Sequence, residues 1–188
     1  MTALALIAPQ DFWAPFETFS YSVFRLETLQ SYAGSGEDED LAAFAAGRPR
    51  PPNPGRNRWS DMLAANHQAG KVQQRVHVVA EPSTAYMRYE LTWQYGPNAA
   101  AGEEIGIILV PLGEWPDDLP RSDFWLFDSS VLYAMHYEPD GTWLGAEPVT
   151  DPGRIVEACR WRDAALHHAT PWKAYIASHL DLRRHLEQ

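Results

Sequence analysis

Cysteine is nearly missing from this chain: Cys159 is its only one. A single thiol excludes an internal disulfide and any zinc site built from several cysteines. Secreted domains often carry paired cysteines, so the expected address is the cytoplasm. No stretch reaches the roughly 18 apolar residues of a membrane span. The segment from Met1 to Asp11 has no basic residue, and its apolar run is too short for a signal peptide. Lysine is scarce too, with Lys71 and Lys173 the only two. With 15 Lys plus Arg against 25 Asp plus Glu, the net charge is -10. That balance disfavours direct contact with nucleic acid, which needs a basic face. The sequence also lacks a Gly-rich phosphate loop, a dinucleotide fingerprint, a His-Glu-x-x-His metal motif and a Gly-x-Ser-x-Gly elbow. None of the seven histidines falls in a metal-ligand spacing. His167 and His168 are adjacent, so about 100° of helix rotation separates them. No metal, no cofactor and no catalytic residue is therefore assigned.

What is present suffices for a folded core. A chain of 188 residues, 45% apolar, makes one structural unit without covalent staples. Mean hydropathy is -0.38, as in soluble proteins. Eight Trp, eight Tyr and seven Phe fit either a dense core or an aromatic-lined partner surface.

Phe12, Phe16, Phe19, Val23 and Leu26 recur at three- and four-residue steps, which predicts an amphipathic helix. Gly34 and Gly36 break it. The acidic run Glu37 to Asp40 then opens an alanine-rich helix ending near Ala46. Residues 47–58 form a Pro/Arg-rich connector, with four prolines and four arginines. It reads either as a stiff surface strut or as an anion- or partner-binding arm. A helix from Trp59 to Ala69 follows, with Gly70 as its stop. Residues 1–70 are thus expected to be an N-terminal helical segment.

Residues 71–188 are expected to be an α/β core with C-terminal helices. From Val72 to Val79 the chain alternates: Val76, Val78 and Ala80 share one face, and Arg75, His77 and Val79 the other. A helix from Thr84 to Tyr95 is apolar on two sides, which places it between the sheet and the N-terminal helices. Ile105 to Leu112 reads as a central strand. Phe124 to Phe127 and Val131 to Tyr137 read as a hairpin, and Trp143 to Val149 as the next strand. Asp151 and Pro152 open a helix as N-cap and first residue. Cys159 lies on its apolar face. After Pro171, Trp172, Tyr175, Ile176, His179 and Leu180 make a second amphipathic helix. The expected fold class is α+β: a mainly antiparallel sheet with one β-α-β crossover, and helices at both ends.

Two segments carry more charge than a packed core needs. In one, Arg75, His77, Glu81, Arg88 and Glu90 stand among apolar strand and helix positions. In the other, Asp123 and Asp128 flank the strand that holds Trp125. Buried charges must be paired or they cost several kcal/mol. Two readings follow: a structural network of ion pairs, or a polar cleft for a small ligand or peptide. The candidate ligand- or partner-binding residues are Arg75, Glu81, Arg88, Tyr89, Asp123, Trp125, Asp128 and His136. His77 and His136, both on expected strands, are placed to meet across the sheet.

Phe24 to Glu27, Arg75 to Pro82, Tyr86 to Glu90, Gly102-Glu103, Asp123 to Asp128, Tyr137, Gly145 to Glu147 and Arg162 to Ala165 resemble an uncharacterised actinobacterial family, domain of unknown function 6879. The resemblance covers nearly the whole chain, and Asp123-Phe-Trp-Leu-Phe-Asp128 is its specific phrase. It implies a partnership with a helix-turn-helix regulator of developmental type. A weaker, fold-level likeness is to half of a phospholipase-D-like domain. There, a histidine and a lysine precede the aspartate; the strand before Asp128 has neither. The resemblance implies a non-catalytic regulatory or interaction protein with a protein partner, in a signalling or antitoxin-like system. The alternative is a small-molecule enzyme using Glu81, Arg88, Asp123, Asp128 or His136.

Overall fold

The computed structural model describes residues 6–8, 10–34, 37–50 and 58–186. Stretch 51–57 of the connector lies outside the described residues. Among the described residues seven strands make one sheet: β1 (Ser22–Glu27), β2 (Val72–Glu81), β3 (Glu104–Pro111), β4 (Phe124–Phe127), β5 (Val131–Tyr137), β6 (Trp143–Val149) and β7 (Thr170–Pro171). Their order is β6-β5-β4-β1-β2-β3-β7. The class is α+β, but the sheet is mixed, not mainly antiparallel. β1, β2 and β3 run parallel, and the outer strands are antiparallel to their neighbours. Two crossovers therefore replace the single one expected.

The difference starts at β1. The run from Phe12 to Leu26 splits into α1 (Ala14–Thr18) and a strand. All but the first residue of β1 are buried. Phe12, Phe16, Phe19, Val23 and Leu26 fall at helical steps by chance, and that spacing masks the alternation within the strand itself. The N-terminal segment is thus not wholly helical; it supplies a strand at the middle of the sheet. A second strand was unforeseen: β7 pairs for two residues with the edge of β3. Gly106 permits that approach, since a Cβ there would lie 2.7 Å from the Cβ of Ala169.

Directly paired residues point to the same side of a sheet, so the register sorts the two faces. Phe24, Leu26, Val76, Val78, Ile108, Phe124, Leu126 and Leu132 form an apolar face. It is covered by α6 (Pro152–His168), whose Ala158 and Ala165 are fully buried. Asp151 caps α6 by accepting from the Arg154 N–H at 2.8 Å. Cys159 packs, half-buried, against this cluster.

The opposite face carries both crossovers. A chain adding parallel strands in one direction with one hand puts its crossovers on one face. The first holds α2 (Asp38–Ala45) and α3 (Arg58–Gln68); the second holds α4 (Ala85–Tyr89), a π-turn (Glu90–Gln94) and α5 (Tyr95–Ala100). Thr84 caps α4 through the Met87 N–H at 3.0 Å. The helix continues past Gly96, with Pro97 in the first turn of α5. The C-terminal helix is also divided, into α7 (Trp172–Ser178) and α8 (Leu180–Leu186), with His179 in an extended conformation between them. Leu180 consequently points to solvent, and Leu182 fills the core instead. No helix among the described residues is long and apolar enough to cross a membrane.

Candidate functional site

The crossover-covered face holds two apolar clusters, one around Tyr86, Met87 and Trp172, the other around Phe16, Trp125 and Phe127. Strand alternation sets charged groups on the same face. Arg25 and Glu27 alternate with Phe24 and Leu26; Arg75 and His77 alternate with Val76 and Val78. The register pairs Arg25 with Arg75, and Glu27 with His77. Two guanidiniums are thus set side by side in the interior.

Carboxylates compensate them. Arg25 Nη2 donates to Asp123 Oδ2 at 2.6 Å and to the Tyr137 hydroxyl at 2.8 Å. Arg75 Nη1 donates to Glu27 Oε1 at 2.6 Å, and its Nε to Glu103 Oε1 at 2.9 Å. Glu27 also faces Arg25 Nε at 3.5 Å, so one carboxylate lies against both arginines. Asp123 is saturated further by the Thr28 N–H (2.8 Å), the Thr28 hydroxyl (2.7 Å) and the Tyr32 hydroxyl (2.7 Å). Trp125 lies beneath the pair, its ring centre 5.2 Å from the Arg25 guanidinium carbon and 5.9 Å from that of Arg75. Among the described residues Arg25 Nε and Nη1 have no hydrogen-bond partner, and the indole face gives them weak compensation.

The electrostatics follow from burial and pairing. Burial alone would raise the Glu27 pKa, but Arg75, His77 and Arg25 outweigh it and hold it down at about 2. Burial pulls the Arg25 pKa down, while Tyr137, Asp123 and Glu27 carry it above its ordinary value. For Glu103 burial wins over Arg75, and its pKa rises. For His77 burial also wins, over the opposing Glu27, and its pKa falls. His77 Nε2 lies 2.7 Å from the Leu29 carbonyl, which can only accept. In the neutral ring Nε2 therefore carries the hydrogen. Nδ1 then accepts from the Tyr95 hydroxyl at 2.6 Å, a shorter contact than the 3.2 Å from that hydroxyl to Glu27. Nearby, burial with repulsion from Glu37 and Glu27 raises Glu90 well above the usual carboxylate range; the Tyr86 hydroxyl lies 2.9 Å from it.

Three of the eight candidate residues, Arg75, Asp123 and Trp125, meet here. The others are elsewhere. Tyr89 belongs to an aromatic group with Phe44 and Trp93 on the outer side of α4. Glu81 and Arg88 are exposed. Asp128 follows β4 at a φ of 48°, and its carboxylate accepts the Ser20, Tyr21 and Ser22 N–H groups at 2.6, 2.7 and 2.9 Å. Burial opposes its ionisation, yet these three donors hold its pKa below the ordinary value. Its task is to fix the chain entering β1. His136 lies on the α6-covered side and pairs with Glu147 at 3.1 Å, so it does not meet His77. Arg75 is paired to Glu27 and Glu103, and not to Glu81, Glu90 or Asp123.

Arg25, Glu27, Glu103, His77, Tyr32, Tyr95 and Tyr137 were not named as site candidates. Arg25 and Glu27 were hidden by the helical reading of β1. Their signal was two opposite charges at alternating positions within the run Val23 to Glu27. Among the described residues, no group of three His, Cys, Asp or Glu side chains is arranged to hold a metal ion.

The model of one family, Domain of unknown function (DUF6879), matches residues 10–177. The match spans most of the chain, which therefore belongs to that family. No curated protein matches the sequence.

Proposed function

We propose that this DUF6879 member is a non-catalytic regulatory or interaction protein of the actinobacterial cytoplasm. Its partner is a helix-turn-helix regulator in a signalling or antitoxin-like system. One observation carries the choice against the enzyme alternative. Glu81, Arg88, Asp123, Asp128 and His136, the residues on which an enzyme was built, do not converge. Acid–base chemistry needs its groups within hydrogen-bond reach of one reacting atom. Here Asp123 is committed to Arg25, Thr28 and Tyr32, Asp128 to three backbone N–H groups, and His136 to Glu147 on the other side of the sheet. A network whose charged members are paired with one another supports a scaffold that presents surfaces. The net charge of -10 favours a basic partner over a phosphate backbone.

The phospholipase-D-like likeness enters as a fold analogy only. Asp128, the residue that carried it, is spent on holding Ser20 to Ser22.

The test is co-expression with a helix-turn-helix regulator of developmental type from the same genome, followed by size-exclusion chromatography with light scattering and native mass spectrometry. A complex of fixed stoichiometry is the expected result. Separate elution of both proteins, or a small molecule retained by the isolated chain and turned over by it, would overturn the proposal.

A further inference from the structure

Beside the sheet edge, where β7 ends and α7 begins, lies a shallow depression of about 390 Å³. Its walls are apolar: Ile105 of β3, Leu166 of α6, Pro171 and Trp172. Trp172 is held rigidly, its indole N–H donating to the Leu91 carbonyl at 2.8 Å. Two consecutive carboxylates, Glu103 and Glu104, line the same depression. Glu104 is exposed and accepts from Gln74 at 2.8 Å. Glu103 is deeply buried and gives Oε1 to Arg75. Among the described residues its Oε2 accepts no hydrogen bond, although the Asn98 amide stands near enough to favour the charged form. A buried carboxylate oxygen without a donor is costly. Among the described residues Lys173, at the rim, is the one basic lining residue.

We propose that this depression binds an organic cation, an alkylammonium or alkylguanidinium group. Its stem lies on Ile105, Leu166 and Trp172, and its charge is drawn by Glu103 and Glu104. Apolar walls with a few convergent polar groups are the usual make-up of a ligand site, and a charged donor makes the stronger hydrogen bond to a carboxylate. The proposal goes beyond the partner reading and stands without it. The same chemistry has two sources, a free amine or guanidine and the side chain of a partner's lysine or arginine. β7 pairs only with Gly106 and Ile107, so the edge of β3 at Glu104 and Ile105 remains open to an extended segment.

The test is an NMR titration of the full-length, isotope-labelled protein with n-butylguanidinium, with n-butanol and butanesulfonate as controls. The cation is expected to give saturable shifts at Gly106 and the Trp172 indole. Its Kd should be on the order of 1 mM, the range open to so small a ligand. Leu166→Arg places a like charge at the rim from an exposed position and should weaken binding at least about five-fold. Lys173→Ala should tighten it about two- to five-fold. Neither residue touches the Arg75 network, so neither change threatens folding. A blocked pentapeptide with a central arginine supplies the second arm. Binding more than about ten-fold tighter than butylguanidinium assigns the site to a partner's segment, and equal binding assigns it to a free cation. Absence of saturable shifts, equal response to either control, or unchanged affinity in both variants overturns the proposal.

Discussion

Replacing Asp123 with alanine should cost this protein a large part of its stability. The carboxylate receives four hydrogen bonds at 2.6 to 2.8 Å, one of them from the buried Arg25 guanidinium. Removing it leaves Arg25 with the Tyr137 hydroxyl and a 3.5 Å contact to Glu27. Breaking a buried ion pair from one side costs about 3–5 kcal/mol. The Thr28 N–H loses its acceptor as well, and a buried orphan donor costs about 1–3 kcal/mol. These losses overlap, so the expected total is about 4–6 kcal/mol, a large share of the roughly 5–15 kcal/mol that holds a domain together. Urea denaturation followed by near-ultraviolet circular dichroism measures it, the many aromatic side chains giving a strong signal. Replacing both partners with apolar groups, Arg25→Met with Asp123→Leu, should cost less than the sum of the two single changes, by about 2 kcal/mol or more. A loss below about 1 kcal/mol for Asp123→Ala, or strict additivity in the cycle, would refute the account of the network as mutually compensating.

Glu90→Gln should stabilise the protein near neutral pH. Its folded pKa is raised, so its contribution is present below the unfolded value and is lost as pH rises through the folded one; the neutral amide escapes that loss, and thermal melts at about pH 8 should show a higher Tm. Acid should unfold the protein in two stages. His77 and Glu27 both have lowered folded pKa values, so their stabilisation is present above the unfolded values of 6.5 and 4.5 and is lost as pH falls. The Glu27 limb, between 4.5 and about 2, is worth about 3 kcal/mol; a single limb, or one that persists in Glu27→Gln, would contradict the assignment. Asp128→Ala should cost about 2–4 kcal/mol, because three N–H groups lose a charged acceptor at a backbone angle alanine disfavours. Asp128→Asn, which tolerates that angle, should cost markedly less in the same denaturation assay.

The legible parts of the sequence were those whose local signal is not contested by tertiary packing. Asp151 with Pro152, Thr84 before Ala85, and Gly70 at a φ of 77° mark helix ends through hydrogen bonds and backbone angles that need no distant partner. The alternation of Val76 and Val78 against Arg75 and His77 survived because β2 has one apolar and one polar face. β1 alternates in the same way, but Phe12, Phe16, Phe19, Val23 and Leu26 fall at helical steps across α1 and β1, and losing the strand hid the second parallel pair. The candidate site was legible at its charged ends, Arg75 and Asp123. The groups that complete it, Glu27 and Glu103, lie 48 and 28 residues from Arg75. No spacing rule links residues joined only by sheet register. Glu81 and Arg88 misled because charge near a core segment does not reveal whether the side chain turns inward or leaves the strand end.

That register explains why so much charge is kept inside. Side chains on a strand have a period of two, so a slip of one residue moves every group to the other face. Three of the five buried positions of β1 and three of the six of β2 are apolar, and apolar contacts alone tolerate such a slip. With Arg25, Glu27, Arg75 and His77 in place, a slip by either strand would drive charges under Ala158 and Ala165 of α6, where nothing pairs them. Buried ion pairs add little net stability compared with apolar groups of the same shape, but they penalise the wrong pairing heavily. We therefore expect a variant with apolar replacements at Arg25, Glu27, Arg75, Glu103 and Asp123 to remain compact and helical, yet to populate more than one strand register. Two or more amide NMR peaks for single residues of β1 would show this. One sharp set of peaks with native contacts between Leu26 and Val76 would refute it and return the specification of register to the apolar packing under α6.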